Sequence, residues 1–235
     1  MTTPSCRVRC CVSISKGLRW VSHLEFLRSF TRALRRADLP VAYSQGFNPH
    51  ARISFATARP VGMASEAEYV DVFFEEDLIG GRVKEDLGRV LPSGMAIPRC
   101  EVVDLNGASL ASRVNASRYL FETEDLDREH LMSAVTDLQR ATELRITRVR
   151  RNKPDRELDI RPGILSIGSP KRRGAGLAME AELAMGGEGG VRPEELWRCL
   201  RAQLAGTDPE GFRPIVTRID IHRREGDRLI SPWCL

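Results

Sequence analysis

Side chains that suit anion or base recognition crowd one short stretch of the chain, Gly46-Phe47-Asn48-Pro49-His50-Ala51-Arg52. Asn48, His50 and Arg52 offer an amide, an imidazole and a guanidinium, which bind phosphate oxygens or base edges. The glycine and the Asn-Pro pair favour a turn, and the alternation after it predicts a strand. The alternative is a tight turn whose Asn and His bond only their own backbone. We expect this turn to bind RNA or another anionic ligand, and its candidate contacts are Tyr43, Gln45, Phe47, Asn48, His50 and Arg52.

A further imidazole, that of His23, lies at the predicted start of the helix before this turn. Ser22 can cap that helix, and Glu25 three residues later completes a capping-box pattern. Apolar residues recur at helical spacing from Phe26 to Ala37, and Asp38-Leu39-Pro40 ends the helix because the residue before a proline leaves the α region. The other side of the helix is a basic stripe of Arg28, Arg32, Arg35 and Arg36.

One alternative for these side chains is catalysis. His23 or His50 would act as the general base of a metal-independent endoribonuclease, and Arg52 would stabilise the phosphorane. Such an enzyme also needs an acid within reach of the same phosphate, and lysines are scarce near the turn. The sequence therefore favours a protein that is not an enzyme by itself.

A second candidate surface is the basic segment 145–173. It contains ten Lys or Arg against three Asp or Glu, a net charge of +7 in a chain of formal net charge +4. Such a strip suggests a polyanion surface, and the alternative is a solvated arginine-rich hairpin. Within it, Asp159 to Ser166 is predicted to be a loop. The expected RNA contacts are Arg148, Arg150, Arg151, Arg161, Lys171, Arg172 and Arg173.

Hydrophobic periodicity predicts an α+β fold of two tandem ferredoxin-like (βαββαβ) domains. We place an N-terminal domain at residues 1–105, with the motifs of the helix start and the turn, and a C-terminal domain at residues 114–235, with the basic segment. In the second domain, the predicted middle strands are Glu143 to Val149 and Gly176 to Leu183. A glycine-containing segment, residues 205–212, precedes the last strand.

The six cysteines show no CxxC pair and no zinc-type spacing with histidine, so we predict neither a metal site nor a cofactor. No apolar run approaches the roughly 18 residues that a membrane-spanning helix needs. We expect a cytoplasmic protein without a targeting signal and without a membrane partner.

Four segments together resemble the uncharacterised family of radical-SAM-linked proteins: Ser22-His23-Leu24-Glu25, the run Arg32 to Ala37, the block Tyr43 to Phe55, and Glu66-Ala67-Glu68-Tyr69-Val70-Asp71. The resemblance is specific over residues 7 to 104, and Asp159-Ile160-Arg161-Pro162 is its clearest point afterwards. Ala51 departs from the proline usual after the histidine in that family. Members occur alone or fused behind a cobalamin-binding radical SAM enzyme. Because this chain has no CxxxCxxC motif, the resemblance implies that any radical chemistry would sit on a partner.

We expect an RNA-binding or substrate-presenting module that works with a separate radical SAM enzyme in RNA modification or processing. One alternative is the endoribonuclease with tandem domains like those of Cas6-type enzymes, which is an analogy of fold only. The other alternative is a protein-protein interaction module whose basic strip meets an acidic partner.

Overall fold

The computed structural model describes residues 4–124, 126–149, 154–187, 189–204 and 213–235. These residues form two compact units. The first contains the chain up to Val114 together with Arg218–Leu235, and the second is Asn115–Thr217. Val114 lies beside the predicted domain boundary, whereas residues 218–235, which the sequence places in the C-terminal domain, belong to the first unit. Arg150, Arg151 and residues 205–212 lie outside the described residues.

The first unit contains strands and helices in the order β-α-β-β-α-β, followed by one helical turn and two returning strands. Its elements are β1 (Cys6–Ile14), α1 (His23–Arg36), β2 (Ile53–Phe55), β3 (Met63–Phe74), α2 (Gly80–Val90), β4 (Met95–Val103) and α3 (Leu110–Arg113). β11 (Ile215–Glu225), from Arg218 onward, and β12 (Arg228–Ile230) complete it. The mixed α+β class predicted from the sequence is confirmed.

Antiparallel pairing places β1 between β4 and β3, and β2 lies on the other edge of β3. Alternate residues of a strand face opposite sides of a sheet. Val8 and Cys10 of β1 and Val72 of β3 therefore join the apolar core together with Phe26 and Phe30 of α1. The alternate residues of β1, such as Arg7 and Arg9, lie on the opposite face.

The second unit contains β5 (Ala116–Thr123), α4 (Arg128–Arg140), β6 (Arg145–Arg148), β7 (Arg156–Asp159), β8 (Ile164–Ile167), β9 (Lys171–Arg173), β10 (Gly176–Ala184) and α5 (Pro193–Gln203). β10 pairs antiparallel with β5 on one side and with β8 and β9 on the other. Phe121 of β5 stacks on Trp197 of α5 with ring centroids 6.2 Å apart. Buried Met179 and Leu183 of β10 contribute to the core of this unit.

One prediction for the second half was wrong, and another holds only in part. The predicted middle strand Glu143 to Val149 exists as β6, but it pairs with β7 in a separate two-stranded ribbon. The segment predicted to be a loop, Asp159 to Ser166, instead contains a single 3-10 turn and most of β8, the strand that pairs with β10. Its Arg-Pro-Gly sequence correctly indicated a turn. The strand directly after that turn has only four residues, which is too few for an alternating hydrophobic pattern to be recognised.

Candidate functional site

The polar turn predicted from the sequence is an exposed excursion from the first unit. Tyr43 and Ala51 form an antiparallel bridge at its base. Above them, the Ser44 amide donates to the His50 carbonyl at 2.8 Å, and the His50 amide donates to the Ser44 hydroxyl at 2.9 Å. These bonds hold the stem of the turn, while the Phe47 side chain at its tip is fully exposed.

The polar side chains of this turn are not used in holding it together. Gln45, Asn48 and His50 are exposed, and within the described residues their side chains form no hydrogen bond or ion pair. The backbone and the Ser44 hydroxyl close the turn, so the alternative in which Asn and His satisfy their own backbone does not describe it. These side chains remain available to a ligand.

A groove of about 560 Å³ lies between α1 and the chain that leaves the turn. Its lining combines four basic side chains, Arg28, Arg32, Arg35 and His50, with Leu24, Leu27, Thr31, Ala51 and Ile53. Among the described residues, no aspartate or glutamate lines it. The groove thus offers cations beside apolar surface, which suits an anionic ligand that also carries flat or apolar groups.

Two of the three groove arginines have no hydrogen-bonding partner among the described residues. Arg28 and Arg32 are exposed and form no hydrogen bond or ion pair there. The pKa of the Glu25 carboxyl is lowered mainly by its hydrogen bonds with Ser22, and the Arg28 charge adds to that effect. The Arg35 Nε donates to the Tyr43 hydroxyl at 3.4 Å, which places the base of the turn beside that end of the row. Because residues three and four apart share a helix face, the three arginines form a row along α1.

The sequence had shown these arginines as a basic stripe but not as part of the site. Their spacing in the sequence could have indicated this role. The arginines alternate with Leu24 and Leu27 at steps of three and four residues, so together they form a second helix face, distinct from the buried one. A helix face that mixes leucine with unpaired arginine, next to a polar turn, indicates a surface that contacts a ligand rather than water alone.

The three candidate catalytic residues make different contacts. His50 lines the groove. Arg52 lies between two groove-lining residues in extended chain and faces the other side, where its guanidinium is 4.9 Å from the centroid of the Phe73 ring. His23 packs edge-on against Phe55, with ring centroids 4.8 Å apart.

His23 lies over a cluster of buried charges. Glu68 forms an ion pair of 2.8 Å with Arg218, and both side chains are almost completely buried. Arg59, also buried, donates to the backbone carbonyls of Arg19 and Val21 before α1 and of Met63 in β3. Burial lowers the pKa of His23; the Glu68 charge opposes this, and the two arginine charges add to it. His23 is therefore neutral near pH 7.

Asp71 holds the opposite face of the same sheet together. It accepts from Arg9 Nε at 2.7 Å and from Arg7 Nε at 3.0 Å, and all three side chains are buried. The two guanidinium groups also reach backbone carbonyls: Arg7 donates to Gly107 at 2.8 Å and Arg9 to Leu235 at 3.0 Å. Asp71 and Glu68 are thus structural, and they fasten the connection after β4 and the returning C-terminal segment.

The basic segment of the second unit is largely used within the fold. Arg148 forms a two-pronged ion pair with Glu195 of α5, with both contacts at 2.7 Å. Arg161 donates to the carbonyls of Ala141, Ile164 and Gln139, which covers the end of α4.

Of the other described cations of this segment, Arg145 lies 2.8 Å from Glu143 and Arg156 is part of β7. The last three lie on β9. Lys171, Arg172 and Arg173 are exposed and line a shallow pocket of about 380 Å³. Glu180 lines the same pocket, and Arg173 lies 3.4 Å from Glu122. The acids offset part of this positive charge, so the pocket is a weaker anion site than the groove of α1. Arg150 and Arg151 lie outside the described residues.

The turn, α1 and the groove all fall within the part of the chain that a model of one protein family matches, residues 7–193. The chain belongs to the family of uncharacterized proteins conserved in bacteria, DUF2344. The DUF2344 match continues through the second unit to the first residue of α5. A comparison with curated proteins finds no match. The family description names no activity.

In the described ranges of this DUF2344 protein, no three His, Cys, Asp or Glu side chains come together as a metal site. The described helices are too short or too polar to cross a membrane. Cys10 and Cys100 face each other across β1 and β4 with their sulfur atoms 3.0 Å apart, and their hydrogen bond, with burial, raises the pKa of Cys10.

The environment of His23 predicts a pH dependence of stability. Its pKa in the folded state lies below the ordinary 6.5, so the unfolded chain binds more protons between those two values. Stability is therefore fully present above pH 6.5 and is lost as the pH falls through the folded pKa. We expect His23→Gln to weaken this loss, measured by urea denaturation at about pH 7.5 and 5.5.

Titration of the His23 ring by NMR provides an independent measurement. A midpoint below 6.5 is expected. A midpoint at or above 6.5, or the same pH dependence of stability in His23→Gln as in the natural chain, would contradict the buried environment described for this ring.

Proposed function

We propose that this protein is an RNA-binding module whose principal site is the groove between α1 and the turn 44–50. The observation that carries the proposal is the row of Arg28, Arg32 and Arg35 in a groove with no acidic lining among the described residues. Arginine binds phosphate through a planar fork of donors, and here two of the three forks form no hydrogen bond with the described residues.

RNA fits the remaining features of the groove better than a small anion does. Four of the nine residues that line it are apolar, and an exposed phenylalanine with free amide and imidazole groups lies on the adjacent turn. Phosphate alone would use only the arginines, whereas a nucleic acid would also use the amides and flat surfaces through its bases.

Two further expectations from the sequence, one about the fold and one about a partner, are part of this proposal. We propose that each compact unit is a ferredoxin-like fold, supported in the first unit by the element order and by the antiparallel order β4-β1-β3-β2. We also propose that the module presents RNA to a separate radical SAM enzyme. The resemblance to radical-SAM-linked proteins supports that partnership, and the iron–sulfur cluster would then belong to the partner.

The test is RNA affinity as a function of salt, measured by fluorescence anisotropy with a labelled RNA of mixed sequence. Replacing Arg28 and Arg32 by alanine removes two groove cations. In the proposed complex each forms charge-assisted hydrogen bonds to phosphate, so the loss should be about tenfold per arginine. The slope of log affinity against log salt should fall by about 0.7 for each lost phosphate contact on a single strand.

The matched control is the pair Arg82 and Arg89 on α2. Their replacement removes the same charge from a helix of the same unit, but these arginines are paired with Glu85 and Asp86. We expect this control to change affinity and salt slope little. Equal losses in both double variants would show only a net-charge effect, and undetectable binding at about 50 mM salt would refute the proposal.

The same samples separate the other two functions. Gel analysis should show the RNA intact with or without Mg²⁺. Specific cleavage that is lost in His23→Ala or His50→Ala would instead establish the endoribonuclease. Failure to bind RNA, together with capture of a defined acidic protein that depends on the groove arginines, would establish the interaction module.

A further inference from the structure

We infer that the groove takes single-stranded RNA, with one unpaired base stacked on the ring of Phe47. This inference rests on the proposed function and names the form of RNA that the same site recognises. Its source is the juxtaposition of a fully exposed aromatic ring, at the tip of a hydrogen-bonded turn, with the Arg35 end of the arginine row.

The Phe47 ring is accessible to a base and is not covered by the described residues of the protein. Its side chain is 106% exposed relative to an extended reference, so the fold gains nothing from burying it. Its stem is nevertheless ordered by the paired bonds between Ser44 and His50 and by the bridge of Tyr43 with Ala51. A ring held out on a fixed stem is a stacking platform, since every base has a flat face.

The arginine row gives the length of strand that fits. With a helical rise of about 1.5 Å per residue, Arg28 and Arg35 are about 10.5 Å apart along α1. A fully stacked strand rises about 3.4 Å per nucleotide, so the row spans at most about three phosphates of a strand, and fewer where the bases are unstacked and the strand is more extended. The Arg35 Nε contacts Tyr43 at the base of the turn, which places the Phe47 platform at that end of the bound strand.

Duplex RNA cannot use this arrangement. Its bases are stacked inside the helix, and it displays mainly phosphates, 2′-hydroxyls and a shallow minor groove. A duplex would meet the arginines and leave Phe47 without a partner. Single strands in loops and at ends present unstacked bases, and these are the form that aromatic side chains bind.

The experiment compares a labelled oligouridine of about twelve nucleotides with an RNA duplex of about the same length, both with the full chain. The natural protein should bind the single strand more tightly. Phe47→Ala should weaken single-strand binding by about 5- to 150-fold, the loss that follows from one stacked base, while duplex binding stays the same. Phe47→Trp should keep the affinity, and the salt slope should be unchanged in both variants because no phosphate contact is lost.

Val61→Ala is the matched control, because it removes an exposed apolar side chain elsewhere in the first unit. Equal affinity for the two RNAs, or no effect of Phe47→Ala, would overturn this inference while the dependence on Arg28 and Arg32 still supported the proposed function. If the natural chain does not bind RNA, both this inference and the proposed function are wrong. Phe47-dependent binding to phosphatidylglycerol vesicles without RNA binding would also overturn both and identify a membrane contact.

Discussion

Replacing Asp71 by alanine is expected to lower the free energy of unfolding by about 3–5 kcal/mol, or to prevent folding altogether. Asp71 accepts from both Arg7 and Arg9, and both arginines are at most 2% exposed. Without it, two buried guanidinium charges lie side by side and neither has its buried side-chain carboxylate partner. Removing one partner of a buried ion pair costs far more than the pair itself contributes, because the other charge stays buried.

Urea denaturation followed by circular dichroism measures this change. Asp86→Ala is the control: Asp86 pairs with Arg82 and Arg89 on the surface of α2, where such pairs contribute about 0.5 kcal/mol or less. Asp71→Asn keeps the shape and removes the charge, so it should fall between the two. An Asp71→Ala chain that unfolds at the same urea concentration as the natural chain would show that the arginines are not buried as described.

Alanine at two glycines of α2 is expected to have opposite effects. At Gly80, the first residue of α2, a Cβ would lie 2.3 Å from the Cys100 carbonyl oxygen and 2.9 Å from the Glu101 Cα. These are backbone atoms of β4 and cannot rotate away, so the helix would have to move off the strand. We expect a loss of about 3 kcal/mol, at the upper end of the usual cost of overpacking.

Gly88 lies in the same helix, and a Cβ added there meets nothing within 4 Å. Alanine is the better helix former by about 0.8–1.0 kcal/mol, so Gly88→Ala should stabilise the protein by up to that amount. Unfolding midpoints measured for the two variants under one condition decide the matter. A stabilising Gly80→Ala would mean that α2 and β4 do not approach as closely as the structure shows.

Local patterns in the sequence predicted local structure well. The capping box is present as expected: the Ser22 hydroxyl accepts from the Glu25 amide at 3.2 Å, and the Glu25 carboxylate accepts from the Ser22 amide at 2.8 Å. The helix ends at Arg36, just before the predicted Asp-Leu-Pro stop. The turn at residues 44–50 is also confirmed. In each case, the groups that decide the structure lie within a few residues of one another.

The sequence predicted the two elements that border the groove but not the groove itself. The arginine stripe of α1 and the polar turn could each be identified, but their approach depends on how the chain returns from α1 to β2. That return is set by the bridges of Val41 with Phe74 and of Tyr43 with Ala51, the first of which joins residues more than thirty positions apart. A helical pattern shows which residues share a face, but it does not show what lies opposite that face.

The sequence by itself determined the α+β class, the course of α1 with its cap, and the polar turn, because propensity, capping and periodicity act over short distances. Only the tertiary structure decided which charges face solvent. Arg148 is bound to Glu195, 47 residues away, and Arg218 to Glu68, 150 residues away. From the composition of segment 145–173, Arg148 is predicted to belong to a cationic surface. In the structure it packs beside the Glu195 carboxylate, and this ion pair removes its charge from that surface. Whether an arginine is a ligand contact or a structural tie depends on its partner, and that partner is chosen by long-range packing.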